Sequence, residues 1–171
     1  MKSLSFLTVF AYASALLAAA ETKVTDPQIA AIVVAANQVD IDAGKFAAEK
    51  STNTEVKRFA ETMVTDHTAV NKSAIDLVTK LKVKPEENDT SRALRAGGGK
   101  NLAALRGLKG RTLDKAYVDH EVAYHEQVLL ALDTVLIPSA RNNELKALLV
   151  KVRPAFVAHL EHARHLQAAL R

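Results

Sequence analysis

The sequence of 171 residues contains no cysteine and no tryptophan. Disulfide bonds and thiolate chemistry, whether catalytic or metal-binding, are therefore excluded. Aromatic residues make up only 5% of the chain, which leaves a core built mainly from alanine, leucine and valine. Such a core is typical of closely packed helices, because β-sheets concentrate aromatic and β-branched residues. With 49% hydrophobic and 25% charged residues, the chain is long enough for one globular domain with a sizeable core.

A strong charge of one sign is also missing. The formal net charge is +4, and basic and acidic residues are interspersed along the chain. We interpret these residues as solvated helix faces and expect no nucleic-acid partner. The protein partner, if there is one, is not identified by the sequence.

The first 20 residues have the pattern of a signal peptide. Lys2 provides a positive start, Leu4–Leu17 is apolar, and Ala18–Ala20 provides the small residues that signal peptidases accept. We expect cleavage near Ala20 and a periplasmic or secreted protein. An uncleaved anchor is the competing interpretation, but the apolar run is shorter than the roughly 20 residues that a spanning helix needs. The mature protein is therefore not expected to span a membrane.

The remaining residues, 21–171, predict an all-α domain that folds as a four-helix bundle. Apolar side chains recur at alternating intervals of three and four, which is typical of helices that bury one face. Two helical hairpins are joined by a long connection over residues 84–111, where we expect irregular backbone around Gly97–Gly99 and a short helix near residues 102–108. The predicted helix starts are the N-caps Asp26, Asn53 or Thr54, and Thr112, and a fourth start at about Asn142; the third helix is expected to end before Pro138.

Each of the four apolar faces is interrupted once by a residue type that binds metals. These residues are Asp40, His67, His125 and His159. All four fall near mid-height of the bundle, whether both hairpin turns lie at one end or the connection crosses it. The pattern predicts one divalent transition metal, with zinc as first choice, bound by the three histidines with Asp40 as a fourth or outer ligand. The outer partners that we expect for the imidazoles are Asp66 for His67, Glu121 for His125 and Glu161 for His159.

Other interpretations of these residues stay open. The four could form a buried hydrogen-bond network without metal, in a non-catalytic cell-envelope module that binds partners. His162 could replace or supplement His159 as a ligand. We expect binding rather than catalysis, because an enzyme using the ion as a Lewis acid would need an open coordination position and a cleft. A di-iron centre is not expected, since the chain has no Glu-x-x-His motif.

Several short stretches of the chain can be compared with the sequences of known families. They are Asp40–Ala47, Val56–Ala60, Met63–His67, Leu113–Val118, His125, Pro154 and His159-Leu160. In these residues the chain resembles the bacterial family catalogued as domain of unknown function 4142. The resemblance implies an exported protein with a ferritin-like four-helix fold and no demonstrated activity. It also implies that Asp66, His67, Tyr117, His125, Pro154 and His159 match family positions, whereas Asp40 stands where the family usually has glutamate.

Overall fold

This computed structural model describes residues 24–171, and nearly all of them are helical. The predicted signal peptide lies outside these residues. Within them there is no strand, which confirms the all-α prediction. The long helices are α1 (Asp26–Lys50), α2 (Thr54–Lys80), α3 (Asp89–Arg106), α4 (Gly110–Ala131) and α5 (Asn143–Ala169).

Hydrogen bonds between the helix ends define the topology. The carboxylate of Asp26, at the start of α1, accepts 2.9 Å bonds from the N–H groups of Arg141 and Asn142 in the α4–α5 turn. At the other end of α1, the Ser51 hydroxyl donates to Oδ1 of Asp114 on α4 over 2.6 Å. The two hairpin turns therefore lie at opposite ends, and the connection crosses the length of the bundle.

The four predicted helices form the bundle itself. Helix α1 packs on α2, and α4 packs on α5, so both hairpins are present as predicted. Helix α2 also contacts α5, and α1 contacts α4, which closes a ring of neighbouring helices around one hydrophobic core. In residues 24–171, no helix combines the length and the apolar character that crossing a membrane requires.

The connection differs from the prediction, because α3 runs straight through the glycine triplet. Glycine has a low helix propensity, which is why we expected irregular backbone there. Packing overrides that preference: α3 lies along α1, and a Cβ atom at Gly98 would come within 2.6 Å of Cγ2 of Val39. A capping box between Asn88 and Ser91 starts the helix. The connection is thus a fifth helix on the outside of the bundle.

The helix starts are partly as predicted. Asn53 and Asn142 are N-caps, each accepting two backbone N–H bonds. The cap of α1 is Thr25 rather than Asp26, and α4 begins at Gly110 without a side-chain cap rather than at Thr112. Thr25 is the cap because its hydroxyl accepts the N–H of Gln28 in a capping box, whereas the carboxylate of Asp26 binds the α4–α5 turn.

The end of α4 also departs from the prediction. Helical backbone continues through a π-helical turn, Leu132–Leu136, and a last turn, Ile137–Ser139. Pro138 does not stop the helix where we expected, because it lies in the first turn of this last segment. A proline is tolerated there since its missing N–H is not needed by the helix.

Candidate metal centre

Three imidazoles from three different helices meet in the middle of the bundle. His67 lies on α2, His125 on α4 and His159 on α5, and all three are buried. Their ring centroids are 5.6, 5.3 and 5.5 Å apart, which is close to an equilateral triangle. The structure therefore brings together the three histidines that the sequence singled out.

A protein oxygen holds one nitrogen of each ring. Nδ1 of His67 lies 2.7 Å from Oδ1 of Asn37, and Nδ1 of His125 lies 3.0 Å from the Glu121 carbonyl oxygen. Nε2 of His159 lies 2.9 Å from Oδ2 of Asp66. The orientation of the Asn37 amide is set by its Nδ2, which donates to the Val33 carbonyl over 2.8 Å. Because all three oxygens are acceptors, each of these ring nitrogens carries the hydrogen and donates it.

The second nitrogen of each ring is left as an acceptor. Among the residues that the structure describes, Nε2 of His67, Nε2 of His125 and Nδ1 of His159 have no hydrogen-bond partner. One ring nitrogen from each histidine lies within 4.8 Å of one from each of the others. Metal-binding histidines have this arrangement, in which an outer oxygen fixes the tautomer and the opposite nitrogen faces the ion.

Burial keeps the three rings uncharged. The pKa of His67 falls well below its usual value, first because of burial and then because His125 and His159 are close. Burial lowers the pKa of His125 to about 3. Burial also lowers the pKa of His159, outweighing the hydrogen bond that the ring donates to Asp66, which acts to raise it. At neutral pH the free nitrogens therefore offer lone pairs, which is the protonation state that a metal ion needs.

Asp40 lies beside the three histidines rather than among them. Its Oδ2 is 3.5 Å from Nδ1 of His67, the nitrogen on the outer side of that ring. Within the described part of the chain, the group of possible metal ligands that includes Asp40 consists of Asp40, Glu121 and His125. Asp40 and Glu121 are both fully enclosed, and burial raises the pKa of Asp40 to about 8. Direct ligation by Asp40 stays a prediction.

Two of the three outer partners differ from those we expected. Asp66 holds His159 rather than His67, because its side chain reaches across to α5. Glu121 is the partner of His125 as predicted, with its backbone carbonyl oxygen 3.0 Å and Oε2 of its carboxyl group 3.5 Å from Nδ1 of the ring. Glu161 is exposed and pairs with Arg164, so it takes no part in the site. The prediction missed Asn37, although its position four residues after Val33 and three before Asp40 places it on the buried face of α1.

A small cavity adjoins the site. It has a volume of about 30 Å³ and is lined by His67, Asn37 and Asp40 together with apolar side chains, including Leu132 and Leu136 of the π-helical turn. This volume is enough for one water molecule, and the polar groups at its edge could bind that water. A π-helical turn beside a cavity is a common feature of functional sites.

Comparison with known proteins identifies the family but no characterised relative. No curated protein and no solved structure matches the chain. A family model described as Domain of unknown function (DUF4142) matches residues 11–166, which is most of the chain and includes all three histidines, Asp40 and Glu121. The chain therefore belongs to the DUF4142 family, as its resemblance in the runs around Asp40, His67 and His125 predicted.

Proposed function

We propose that this protein binds one transition metal ion, with zinc as first choice, through His67, His125 and His159. Its role is metal binding or storage, or protection of the cell envelope against stress. One observation carries this proposal: three buried histidines each place a ring nitrogen within 4.8 Å of the others, and one nitrogen of each ring has no hydrogen-bond partner among the described residues. Asp40 is proposed as a fourth or outer ligand.

The spacing of the rings supports a tetrahedral ion. Three imidazoles bound to zinc at about 2.0–2.1 Å have ring centroids roughly 5 Å apart when the ligand angles are tetrahedral. The centroid distances of 5.3 to 5.6 Å are close to this value. Only small shifts of the helices are then needed to bring the three nitrogens to bonding distance.

A hydrogen-bond network without metal is less well supported at this position. The three ring nitrogens without a partner are all acceptors, and acceptors cannot form hydrogen bonds with one another. Each buried polar atom that lacks a partner costs about 1–3 kcal/mol. A single cation satisfies all three at once.

We also propose that the protein is exported. The support is the pattern of residues 1–20, with a basic start, an apolar middle and small residues before Glu21. Amino-terminal sequencing of the protein recovered from the periplasm or culture medium tests this. A chain beginning near Glu21 is expected, and recovery of the whole uncleaved chain from the cytoplasm contradicts export.

Elemental analysis of protein purified without an affinity tag tests the metal proposal. We expect about one ion per chain in the wild type. The double variant His67→Ala, His125→Ala should lose it, because one ligand cannot hold the ion. The matched control is His165→Ala, which removes an exposed imidazole of α5 and should keep the metal. Metal well below one ion per chain in the wild type, or unchanged metal in the double variant, contradicts the proposal.

A further inference from the structure

A second group of polar side chains lies beside the three histidines and has a different composition. It consists of Asp40 from α1, Glu121 from α4 and one ring nitrogen of His125, with the three ligand atoms within 4.8 Å of one another. Asp40 is 2% exposed and Glu121 is 0% exposed, so water does not solvate either carboxyl group. Carboxyl groups are rarely buried this deeply without a partner.

The two carboxyl groups lie close together, with one oxygen of Asp40 within 4.8 Å of one oxygen of Glu121. In the described part of the chain, both oxygens of Glu121 and Oδ1 of Asp40 receive no hydrogen bond. Two carboxylates cannot share a site unless a proton or a cation lies between them, because their like charges repel. Something positive must therefore occupy this position in the folded protein.

The carboxyl pair also affects a buried phenol, that of Tyr117. The Tyr117 hydroxyl is buried and has no partner among the described residues. Its pKa is raised well above its usual value, first by burial and then by the charges of Glu121 and Asp40. The two carboxyl groups therefore oppose the loss of the Tyr117 proton.

From this arrangement we infer that Asp40, Glu121 and His125 form a second cation site, which takes a hard divalent ion such as Mn²⁺. Carboxylate oxygens suit Mn²⁺, whereas three imidazole nitrogens suit Zn²⁺ or Cu²⁺. Two carboxylates also neutralise the charge of a divalent ion, which is essential in a region without water.

The two sites exclude each other because they share His125. Nδ1 of this ring lies 3.0 Å from the Glu121 carbonyl oxygen and 3.5 Å from Oε2 of the Glu121 carboxyl group, whereas Nε2 has no partner among the described residues. A neutral imidazole has one lone pair, so binding an ion at the carboxyl pair through Nδ1 moves the proton to Nε2 and removes that nitrogen from the three-histidine site. One nitrogen lone pair binds one ion, so the core holds either an ion at the three histidines or an ion at the carboxyl pair. This competition rests on the proposed function, whereas the carboxylate site does not.

Titration of metal-free protein with Mn²⁺, followed by the electron paramagnetic resonance signal of the free ion, tests the inference. The wild type should bind one Mn²⁺, and Glu121→Gln and Asp40→Asn should each weaken binding at least tenfold. Glu161→Gln makes the same change of carboxylate to amide at an exposed position and should bind like the wild type.

His159→Gln should keep Mn²⁺ affinity but lose Zn²⁺ affinity at least tenfold. One equivalent of Zn²⁺ should release bound Mn²⁺ from the wild type.

Every other outcome contradicts a specific part of the inference. If Glu121→Gln and Asp40→Asn bind Mn²⁺ as tightly as the wild type, the carboxyl pair holds only a shared proton and the second site is absent. If the wild type binds Mn²⁺ and Zn²⁺ together, the exclusion between the sites is wrong. Unchanged Zn²⁺ affinity in His159→Gln overturns the three-histidine site and leaves the Mn²⁺ result intact. Circular dichroism identifies variants that keep the helical fold, and either carboxyl variant alone decides the question.

Discussion

At the scale of single residues, the chemistry of each histidine is decided by the oxygen that holds its other nitrogen. Asn37, the Glu121 carbonyl and Asp66 each fix one tautomer, and the other nitrogen of each ring is left without a hydrogen bond from the described residues. The sequence predicted which histidines point inward, because they interrupt apolar helix faces. It also predicted Glu121 as the partner of His125, which is on the same helix. It did not predict Asn37 or the pairing of Asp66 with His159, because these partners come from helices other than those of the rings they hold.

Replacing His125 with glutamine should change how the stability of the metal-free protein depends on pH. The folded protein keeps His125 neutral down to a pKa of about 3, whereas the unfolded chain takes up this proton near pH 6.5. The unfolded state binds more protons between these values, so for this group acid weakens the wild type by about 1.4 kcal/mol per pH unit. His125→Gln removes this loss. In urea unfolding, the free energy of unfolding of the variant should therefore rise relative to that of the wild type by about 1.4 kcal/mol for each pH unit from about pH 6 to about pH 4.

The control for this comparison is His165→Gln, at an exposed position of α5. Other buried titrating groups are present in both proteins, so their contributions largely cancel in the difference. A difference in unfolding free energy between His125→Gln and wild type that stays constant across this pH range contradicts the buried, neutral state of the ring.

At the scale of helices, local signals and tertiary packing agree in most places and conflict in α3. Asparagine caps at Asn53 and Asn142 were predictable, because capping depends on a few adjacent residues. The glycine triplet was interpreted as irregular backbone from its propensity. Its helical conformation depends on contact with α1, where Gly98 lies against Val39. The pattern of α3 alone therefore could not reveal that its glycine is required at a helix contact.

Alanine substitution at two adjacent glycines should have opposite effects. At Gly98 a Cβ atom would lie 2.6 Å from Cγ2 of Val39, so Gly98→Ala must displace α3 or that side chain and should destabilise by about 1–3 kcal/mol. At Gly99 a Cβ atom would meet nothing within 4 Å, and Gly99→Ala should stabilise the helix by about 0.5–1 kcal/mol. Urea unfolding measures both, and equal effects at the two positions would show that α3 does not pack closely on α1.

At the scale of the whole molecule, the site depends on the topology of the bundle, that is, on the order and direction of its helices. The connection crosses from one end to the other as α3, so the two hairpin turns lie at opposite ends. Helices α2, α4 and α5 each supply one imidazole at the same level. An ion at this position links one helix of the first hairpin to both helices of the second, whereas α3 contributes none of the three ligands.

Zinc should therefore stabilise the bundle as a unit. At a free zinc concentration about 100 times Kd, binding adds about 2.7 kcal/mol to the free energy of unfolding, which raises Tm by roughly 5–10 °C for a domain of this size. Hydrogen exchange should slow in α2, α4 and α5 more than in α3. Removing the ion with a chelator should reverse both effects, and the His67→Ala, His125→Ala variant should show neither. The same Tm in zinc and in chelator, or slower exchange in one helix alone, would refute this cross-link.

The all-α class, both hairpins and the four inward-facing polar residues could all be predicted from the sequence. These features depend on periodicity and capping, which are properties of residues close together in the chain. The oxygens of Asn37 and Asp66 that hold two of the rings, the closeness of Asp40 to Glu121 and the helical state of Gly97–Gly99 required the folded molecule. Each of these depends on contacts between helices, and the free energy of such contacts is absent from any single helix.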